Sequence, residues 1–244
     1  MSTSARTAIV TGGCTGIGLG IVRALLAGGY AVTATALTES ERAAGVAAVG
    51  APQAGAFDAV LLDVRDSAAV NALGGRFARL DALVNNAGIG LGSPAEQEET
   101  GFATVVDVNL HGVMRMCFAC RPALVAARGA VVNIASILSI FGSGNAPGYS
   151  ASKGAVAQLT KSLAIAWAAD GVRVNAIAPG WIETALTDPV RAMPGRSDMI
   201  LARTPMRRWG TPADIAGVAR FLLSAEAGFM TGALVPVDGG YSAF

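Results

Sequence analysis

The sequence predicts a doubly wound α/β fold, in which helices cover both faces of a parallel β-sheet. Short apolar segments alternate with longer amphipathic ones along the 244 residues. The short segments carry too few polar residues for burial on one side only, which indicates parallel strands covered on both faces. A glycine-rich turn follows the first of them, and no linker or internal repeat divides the chain. We therefore expect one domain over residues 1–244.

Composition narrows the classes of partner. The chain is 52% hydrophobic and 14% charged, with a net charge of +1, so neither nucleic acid nor an anionic membrane surface is indicated. The apolar run Thr7–Thr11 is too short for a signal peptide. The long uncharged stretch Gly129–Ser152 is interrupted by polar residues, glycines and a proline, which argues against a transmembrane helix. We expect a cytoplasmic protein.

The cysteines and the histidine predict no metal site and no disulfide. Cys117 and Cys120 have the spacing of a redox or zinc half-site, but no second pair accompanies them. The residues around them have the character of a helix, so we interpret both as packing residues. His111, the one histidine, falls in the same region and is interpreted in the same way.

Residues 7–36 predict a dinucleotide site. A β-branched strand, Thr7–Thr11, leads into the turn Gly12–Gly18, which is followed by a helix, Ile17–Ala27, and a second strand, Ala31–Ala36. Glycines at positions 12, 16 and 18 let the backbone approach a pyrophosphate, which then lies at the N-terminus of the helix. Strand, turn, helix and strand in this order are the context that such a motif requires.

The alternation continues to the end of the chain. Residues 102–127 predict one long helix with Pro122 near a kink, and another helix contains Tyr149. The other predicted helices are Ser40–Val49, Ser67–Arg79 and Pro212–Ser224, and the other strands are Ala59–Asp63, Ala82–Val84, Ala130–Ala135, Arg173–Ala178 and Ala233–Val237. In such a sheet, ligands bind beyond the carboxyl ends of the strands. Five candidate site residues lie at or just after strand ends in this way: Gly12, Asp63, Asn85, Ser136 and Pro179.

The pair Tyr149 and Lys153 predicts acid–base chemistry. Residues four apart share one face of a helix, so the phenol and the ammonium lie side by side. A free tyrosine titrates near ~10, and a nearby cation lowers that pKa, which suits the phenol for proton transfer near neutral pH. Ser136 ends the preceding buried strand. Its hydroxyl is placed to bind the oxygen that the tyrosine protonates.

These motifs resemble those of the short-chain dehydrogenase/reductase family, in the same order and spacing, over essentially the whole chain. The matching segments are Thr11-Gly12-x-x-x-Gly16-Ile17-Gly18, Asn85-Asn86-Ala87-Gly88, Asn109, Ser136, Tyr149-x-x-x-Lys153 and Pro179-Gly180. The resemblance implies a Rossmann-type sheet of about seven strands, NAD or NADP as cofactor, and a small-molecule substrate. It also implies a homo-oligomer, a dimer or a homotetramer.

The resemblance assigns roles to individual residues. Tyr149 is the expected acid and base, Lys153 holds the nicotinamide ribose, Ser136 binds the substrate oxygen and Asn109 positions a water for proton relay. Asp63 and the Val64 backbone are expected at the adenine. The full set of expected cofactor contacts is Gly12, Cys14, Thr15, Gly16, Ile17, Gly18, Ala36, Leu37, Asp63, Val64, Asn85, Ala87, Gly88, Tyr149, Lys153, Pro179, Gly180, Ile182 and Thr184.

The choice between NAD and NADP stays open. Members of the family that prefer NAD carry an acidic residue at the end of the second strand, where this chain has Ala36 and Leu37. Members that prefer NADP carry a basic residue there or in the glycine turn, where this chain has Cys14 and Thr15. Arg42 lies further along the chain. Either cofactor is compatible with these positions.

The segment after Gly180, residues 181–208, is expected to form a substrate lid. The expected substrate contacts are Ser136, Leu138, Tyr149, Trp181 and Leu186. The implied reaction is hydride transfer between nicotinamide and a secondary alcohol or ketone, such as a sugar, a polyol or a cyclic alcohol. A 3-oxoacyl thioester reductase and a non-catalytic nucleotide-sensing protein of the same fold are the alternatives. The filled catalytic positions favour an enzyme.

Overall fold

A computed structural model describes residues 5–51 and 56–243. Seven parallel strands form one sheet in the order β3-β2-β1-β4-β5-β6-β7. The strands are β1 (Arg6–Val10), β2 (Tyr30–Ala36), β3 (Phe57–Leu61), β4 (Ala82–Asn85), β5 (Ala130–Ile134), β6 (Arg173–Pro179) and β7 (Leu234–Val237). The predicted doubly wound sheet and its strand number are confirmed.

Helices connect successive strands and cover both faces. They are α1 (Gly16–Ala27), α2 (Glu39–Val49), α3 (Ser67–Gly74), α4 (Glu99–Val106), α5 (Gly112–Ala127), α6 (Pro147–Trp167), α7 (Asp188–Ala192), α8 (Arg196–Arg203) and α9 (Pro212–Leu223). One apolar layer joins the sheet to α1 and α9, and the other joins it to α3, α5 and α6. In the described part of the chain, no helix is long and apolar enough to cross a membrane.

The order of the strands reverses between β1 and β4, which are neighbours in the sheet. Crevices for ligands open at such a point because the connections on its two sides lead to opposite faces. The turn after β1 and the segment after β4 meet there: a Cβ atom on Gly12 would lie 3.1 Å from Cα of Ala87. This crevice organises the site.

Three predicted elements differ from those observed. The helix predicted to reach Arg79 ends at Gly74, where the chain passes so close to α5 that a Cβ atom would lie 2.7 Å from the Ala119 carbonyl oxygen. The third strand ends at Leu61, because its residues pair with Val32–Ala36, so Asp63 lies beyond it.

The helix predicted over residues 102–127 begins at Glu99 and changes its winding between Asp107 and His111. These five residues form a π-helical segment, which widens the helix locally and is frequent at functional sites. Asn109 lies within this segment. The π-helical segment therefore positions Asn109, the catalytic candidate, and the pattern of apolar residues does not indicate this segment.

Candidate active site

The glycine turn after β1 fits a dinucleotide. Gly12 and Gly16 have positive φ angles of 58° and 48°, in the left-handed region that favours glycine. A Cβ atom on Gly18 would lie 2.2 Å from the Gly12 carbonyl oxygen, so the first turn of α1 packs directly on the loop. Thr15 precedes α1 without capping it through its side chain, and no acidic residue occupies the first turn. The free N–H groups there suit the negative charge of a pyrophosphate.

The end of β2 carries a carboxylate that belongs to the next helix. The N–H of Leu37 donates to Oε2 of Glu41 at 2.9 Å. Arg42, the nearest basic candidate, forms two hydrogen bonds with the Glu39 carboxylate, at 2.6 and 2.9 Å. Ala36 is buried and Leu37 is exposed. The basic group near this strand end is thus already paired, and an acidic group contacts the backbone there.

Asp63 and Val64 lie in the turn after β3. The Asp63 carboxylate accepts hydrogen bonds from the Arg65 guanidinium, the shortest of 2.7 Å, and these lower the pKa of the carboxyl group below its ordinary value. Val64 is buried, and a Cβ atom on Gly112 would lie 2.6 Å from one of its methyl groups. The expected adenine contacts of both residues stay a prediction.

The segment after β4 lines the other side of the crevice. The N–H groups of Asn86 and Ala87 donate to the Thr11 hydroxyl at 2.9 and 3.0 Å, which fastens this segment to the end of β1. The Asn85 side chain points away from the crevice and donates to Oδ1 of Asn133 at 2.8 Å in the protein interior. A contact of Asn85 with the cofactor would therefore involve its backbone.

Ser136 and Tyr149 approach each other at the end of β5. Ser136 is buried and its hydroxyl accepts from the N–H of Leu138 at 3.1 Å, which fixes it at the start of a helical turn. The neighbouring Ser136 side chain lowers the pKa of the Tyr149 phenol, but burial outweighs this effect. The net pKa of Tyr149 is raised, and the negative charge of Glu96 raises it further.

The sequence predicts a lowered pKa for Tyr149, whereas the net pKa is raised because burial is the largest influence on this phenol. The Lys153 ammonium lies 5.6 Å from the centre of the Tyr149 ring. Lys153 is itself buried, and burial lowers its pKa to about 8. Burial is the largest influence on the pKa of each group, because desolvation disfavours the charged form of both.

Asn109 is held rigidly by its neighbours. Its Oδ1 accepts from the N–H of Ile89 and its Nδ2 donates to the carbonyl of the same residue, both at 2.8 Å. Nδ2 also donates to the Ser152 hydroxyl at 3.1 Å. A Cβ atom on Gly88 would lie 3.1 Å from Asn109 Oδ1 and 3.4 Å from Lys153 Nζ. The predicted tetrad residues Asn109, Ser136, Tyr149 and Lys153 therefore converge on one crevice.

The segment after β6 closes the crevice from a third side. Pro179 ends the strand, and Gly180 packs against β7, with its N–H donating to the Val237 carbonyl at 3.0 Å. Ile182 is buried and pairs with Gly210. A Cβ atom on Gly16 would lie 3.2 Å from the Thr184 methyl group, which places Thr184 against the glycine turn.

Leu186 and Trp181, two candidate substrate contacts, lie in different surroundings. Leu186 lies near the phenol, because a Cβ atom on Gly90 would be 3.9 Å from Leu186 Cδ1 and 3.4 Å from Tyr149 Cδ2. Trp181 packs edge to face on Trp209 with ring centres 5.7 Å apart, and lines a cavity of about 190 Å³ together with Asp238. Trp181 thus packs against a second tryptophan, and its contact with the substrate stays a prediction.

The sequence reasoning missed Glu96. It lies in a short helical turn, Ala95–Gln97, and is buried although three further polar residues, Gln97, Glu98 and Glu99, follow it. In the sequence this run has the character of an exposed acidic surface. The glycines and the proline that precede it were the available signal of a close turn.

Two other predictions concerned the cysteines and metals. Cys117 and Cys120 are buried, and burial raises the pKa of both thiols to about 12, so neither is a reactive thiolate. Among the residues that the structure describes, no group of three or more histidine, cysteine or acidic side chains is arranged to hold a metal ion.

The chain is similar to known proteins over nearly its whole length. A family model described as enoyl-(acyl carrier protein) reductase matches residues 12–242. The 2-dehydro-3-deoxy-D-gluconate 5-dehydrogenase of Bacillus subtilis is 40% identical, covering 98% of this chain and 96% of the relative. The L-tagatose-forming galactitol 2-dehydrogenase of Cereibacter sphaeroides is also 40% identical, covering 96% and 94%.

A solved structure from Agrobacterium tumefaciens, given provisionally as a 2-deoxy-D-gluconate 3-dehydrogenase and holding NADP, is 43% identical. It superimposes with a TM-score of 0.88 and covers 98% of this chain and 97% of its own. Sequence and fold agree over nearly the whole length. The chain therefore belongs to the short-chain dehydrogenase/reductase family, as an NAD(P)-dependent oxidoreductase that interconverts a secondary alcohol and a ketone.

Proposed function

We propose that this enzyme oxidises and reforms a secondary hydroxyl group of a polyol or sugar acid, with Tyr149 exchanging the proton of that group and Ser136 holding its oxygen. The observation that carries the proposal is that the Tyr149 phenol lies beside both the Ser136 side chain and the Lys153 ammonium, whose nitrogen is 5.6 Å from the centre of the Tyr149 ring. A substrate oxygen that binds to both the Ser136 hydroxyl and the Tyr149 phenol would lie beside the crevice formed by Gly12 and Ala87. Lys153, one helical turn from Tyr149, completes the arrangement.

The phenol determines how the reaction depends on pH. NAD(P), when bound in the crevice, supplies the acceptor or donor of hydride. Ionised Tyr149 accepts the alcohol proton during oxidation, and neutral Tyr149 returns it during reduction. Because the pKa of Tyr149 is raised, the neutral form predominates at neutral pH. Reduction is therefore favoured there, and oxidation accelerates as the pH rises.

The other two tetrad members support this pair. Lys153 carries a buried ammonium group next to Asn109 and Gly88, where the family places the nicotinamide ribose. Asn109 holds the main chain of Ile89 through both ends of its amide group. We infer that Lys153 binds the ribose hydroxyls and that Asn109 orients a water molecule for proton relay.

The substrate class is supported by the relatives. Two 40% identical relatives are named for a sugar acid and a polyol. Leu186 and the Tyr149 ring both lie near Gly90, at the entrance of the proposed substrate site: a Cβ atom on Gly90 would be 3.9 Å from Leu186 Cδ1 and 3.4 Å from Tyr149 Cδ2. We infer that residues 181–208 form a lid over this entrance within a single catalytic domain.

The test is a substrate panel followed through the absorbance of reduced nicotinamide, with NAD and NADP in parallel. Polyols and sugar acids are expected to give the highest kcat/KM. Cyclic secondary alcohols and 3-oxoacyl thioesters complete the panel, and a clear preference for the thioester would refute the proposed substrate class.

We also propose that the protein is cytoplasmic and assembles into a homo-oligomer, a dimer or a homotetramer. Phe118 on α5 and Ile165 on α6 are exposed apolar side chains of the kind that subunit contacts cover. Light scattering during gel filtration measures the mass directly. A monomer at micromolar concentration would contradict the assembly.

A further inference from the structure

Glu96 joins two walls of the site through one buried carboxylate. Its Oε1 atom accepts from the N–H groups of Leu91 and Gly92 at 2.8 and 2.9 Å, and its Oε2 atom accepts from the N–H of Tyr149 at 2.8 Å. The side chain is 1% exposed. Leu91 and Gly92 follow β4, whereas Tyr149 lies in the first turn of α6, so the carboxylate connects two distant parts of the chain.

The connection lies directly beside the phenol. A Cβ atom on Gly90 would be 3.4 Å from Tyr149 Cδ2 and 3.9 Å from Glu96 Oε1. A Cβ atom on Gly148 would be 3.4 Å from Glu96 Oε2, so glycine at position 148 leaves room for the carboxylate at the start of the helix. Shortening or removing this side chain would release the segment that contacts the phenol ring.

Glu96 also places a negative charge at the N-terminus of α6. No side chain of the residue before the helix caps this end, and Glu96 satisfies one of its free N–H groups. The positive end of the helix dipole favours an ionised phenol in the first turn, and the carboxylate opposes that effect. This charge raises the pKa of Tyr149.

We propose that Glu96 is a positioning residue of this active site, which fixes the Tyr149 phenol against the Gly90 segment and sets the charge that the phenol experiences. The inference rests on the proposed role of Tyr149 and extends it. The groups around the phenol are Glu96 from the turn before α4, Lys153 from α6, the neutral Ser136 hydroxyl after β5, and uncharged Gly90 and Leu186.

Two substitutions compare charge with reach: Glu96→Gln keeps the length of the side chain but loses the charge and one of the two acceptor atoms, because its amide NH2 cannot accept from a backbone N–H. Glu96→Gln removes the charge, so the acidic limb of kcat/KM for oxidation is expected to move down by about one pH unit. Glu96→Asp keeps the charge but shortens the reach by one carbon, so the limb stays in place and kcat falls by roughly tenfold or more. Glu98→Gln, an exposed neighbour, is the control and leaves both quantities unchanged.

A second measurement needs no turnover. The ultraviolet absorbance of tyrosinate, after subtraction of the Tyr149→Phe titration, reports the ionisation of this phenol in the protein without cofactor. Glu96→Gln is expected to ionise at lower pH than wild type, and Glu96→Asp at the wild-type pH. Circular dichroism confirms that each variant is folded.

Identical midpoints in wild type and Glu96→Gln, by either measurement, would overturn the inference. Equal shifts in the Asp and Gln variants would overturn it as well, because they would show a merely structural effect. Failure of the underlying proposal has a different signature: Tyr149→Phe would then retain turnover.

Discussion

The ammonium group of Lys153 donates a hydrogen bond of 2.7 Å to the carbonyl oxygen of Ile134. Ile134 is the last residue of β5, and Ser136 follows two residues later. The bond therefore joins the helix that carries Tyr149 to the strand that leads into Ser136. Lys153 therefore connects two elements of the site in addition to carrying a charge. Its burial has a measurable consequence for the stability of the fold.

The stability contributed by Lys153 should depend on pH. Its pKa is lowered from 10.5 to about 8 by burial, so between these values the unfolded chain binds more protons than the folded one. Stability therefore rises with pH across this window. We expect the free energy of unfolding of wild type, relative to Lys153→Met, to increase by on the order of 1–3 kcal/mol from pH 8 to 10.5 in urea titrations.

Comparing wild type with Lys153→Met cancels the contributions of the other groups that titrate in this pH range. The buried thiols of Cys117 and Cys120 have raised pKa values and act in the opposite direction, but both proteins contain them. Lys161→Met, at an exposed position of the same helix, is the control and should show no such trend. A difference that stays constant with pH would contradict the burial of a lysine with a lowered pKa.

Tyr149→Phe should abolish proton exchange while preserving the cofactor crevice. We expect kcat to fall by roughly 10²–10⁴-fold, because the substitution removes the group that transfers the proton. The dissociation constant of reduced cofactor, measured by fluorescence titration, should change little. Tyr30→Phe, in a buried position at the start of β2, should retain activity. Substantial turnover by Tyr149→Phe would refute the assignment.

Glu41→Gln should change cofactor preference. The Glu41 carboxylate accepts from the Leu37 N–H at the end of β2, where this fold places the adenosine ribose. Its negative charge disfavours an additional phosphate, so we expect the substitution to tighten NADP binding roughly threefold to tenfold relative to NAD. Calorimetric titration with each cofactor measures this ratio. An unchanged ratio would place the ribose away from Glu41.

Asn109→Asp should weaken the fold around the π-helical segment. The amide donates to the Ile89 carbonyl and to the Ser152 hydroxyl, and a carboxylate would leave that carbonyl facing a buried negative charge. We expect the free energy of unfolding to fall by roughly 1–3 kcal/mol or more at neutral pH. Chemical denaturation checks this value. Ser152→Ala, which removes one of these contacts, should cost less than Asn109→Asp.

The fold was predictable because its signals are local. Each strand is a short apolar run, and the glycine turn is recognisable from the spacing of Gly12, Gly16 and Gly18 alone. Where contacts between distant segments decide an element, prediction failed: α3 ends early because Gly74 packs on α5, and Asp63 lies outside its strand because β3 pairs in register with β2.

The active site also combines features that the sequence predicts with features that only the tertiary structure decides. The residue types of the tetrad and their spacing were legible in the chain, and they identified the chemistry. Burial of Glu96, the inward turn of the Asn85 side chain and the raised pKa of Tyr149 were decided by the tertiary structure. The physical reason is desolvation: the energy of a charge depends on neighbours brought together from remote parts of the chain, whereas helices, strands and tight turns follow from residues close in sequence.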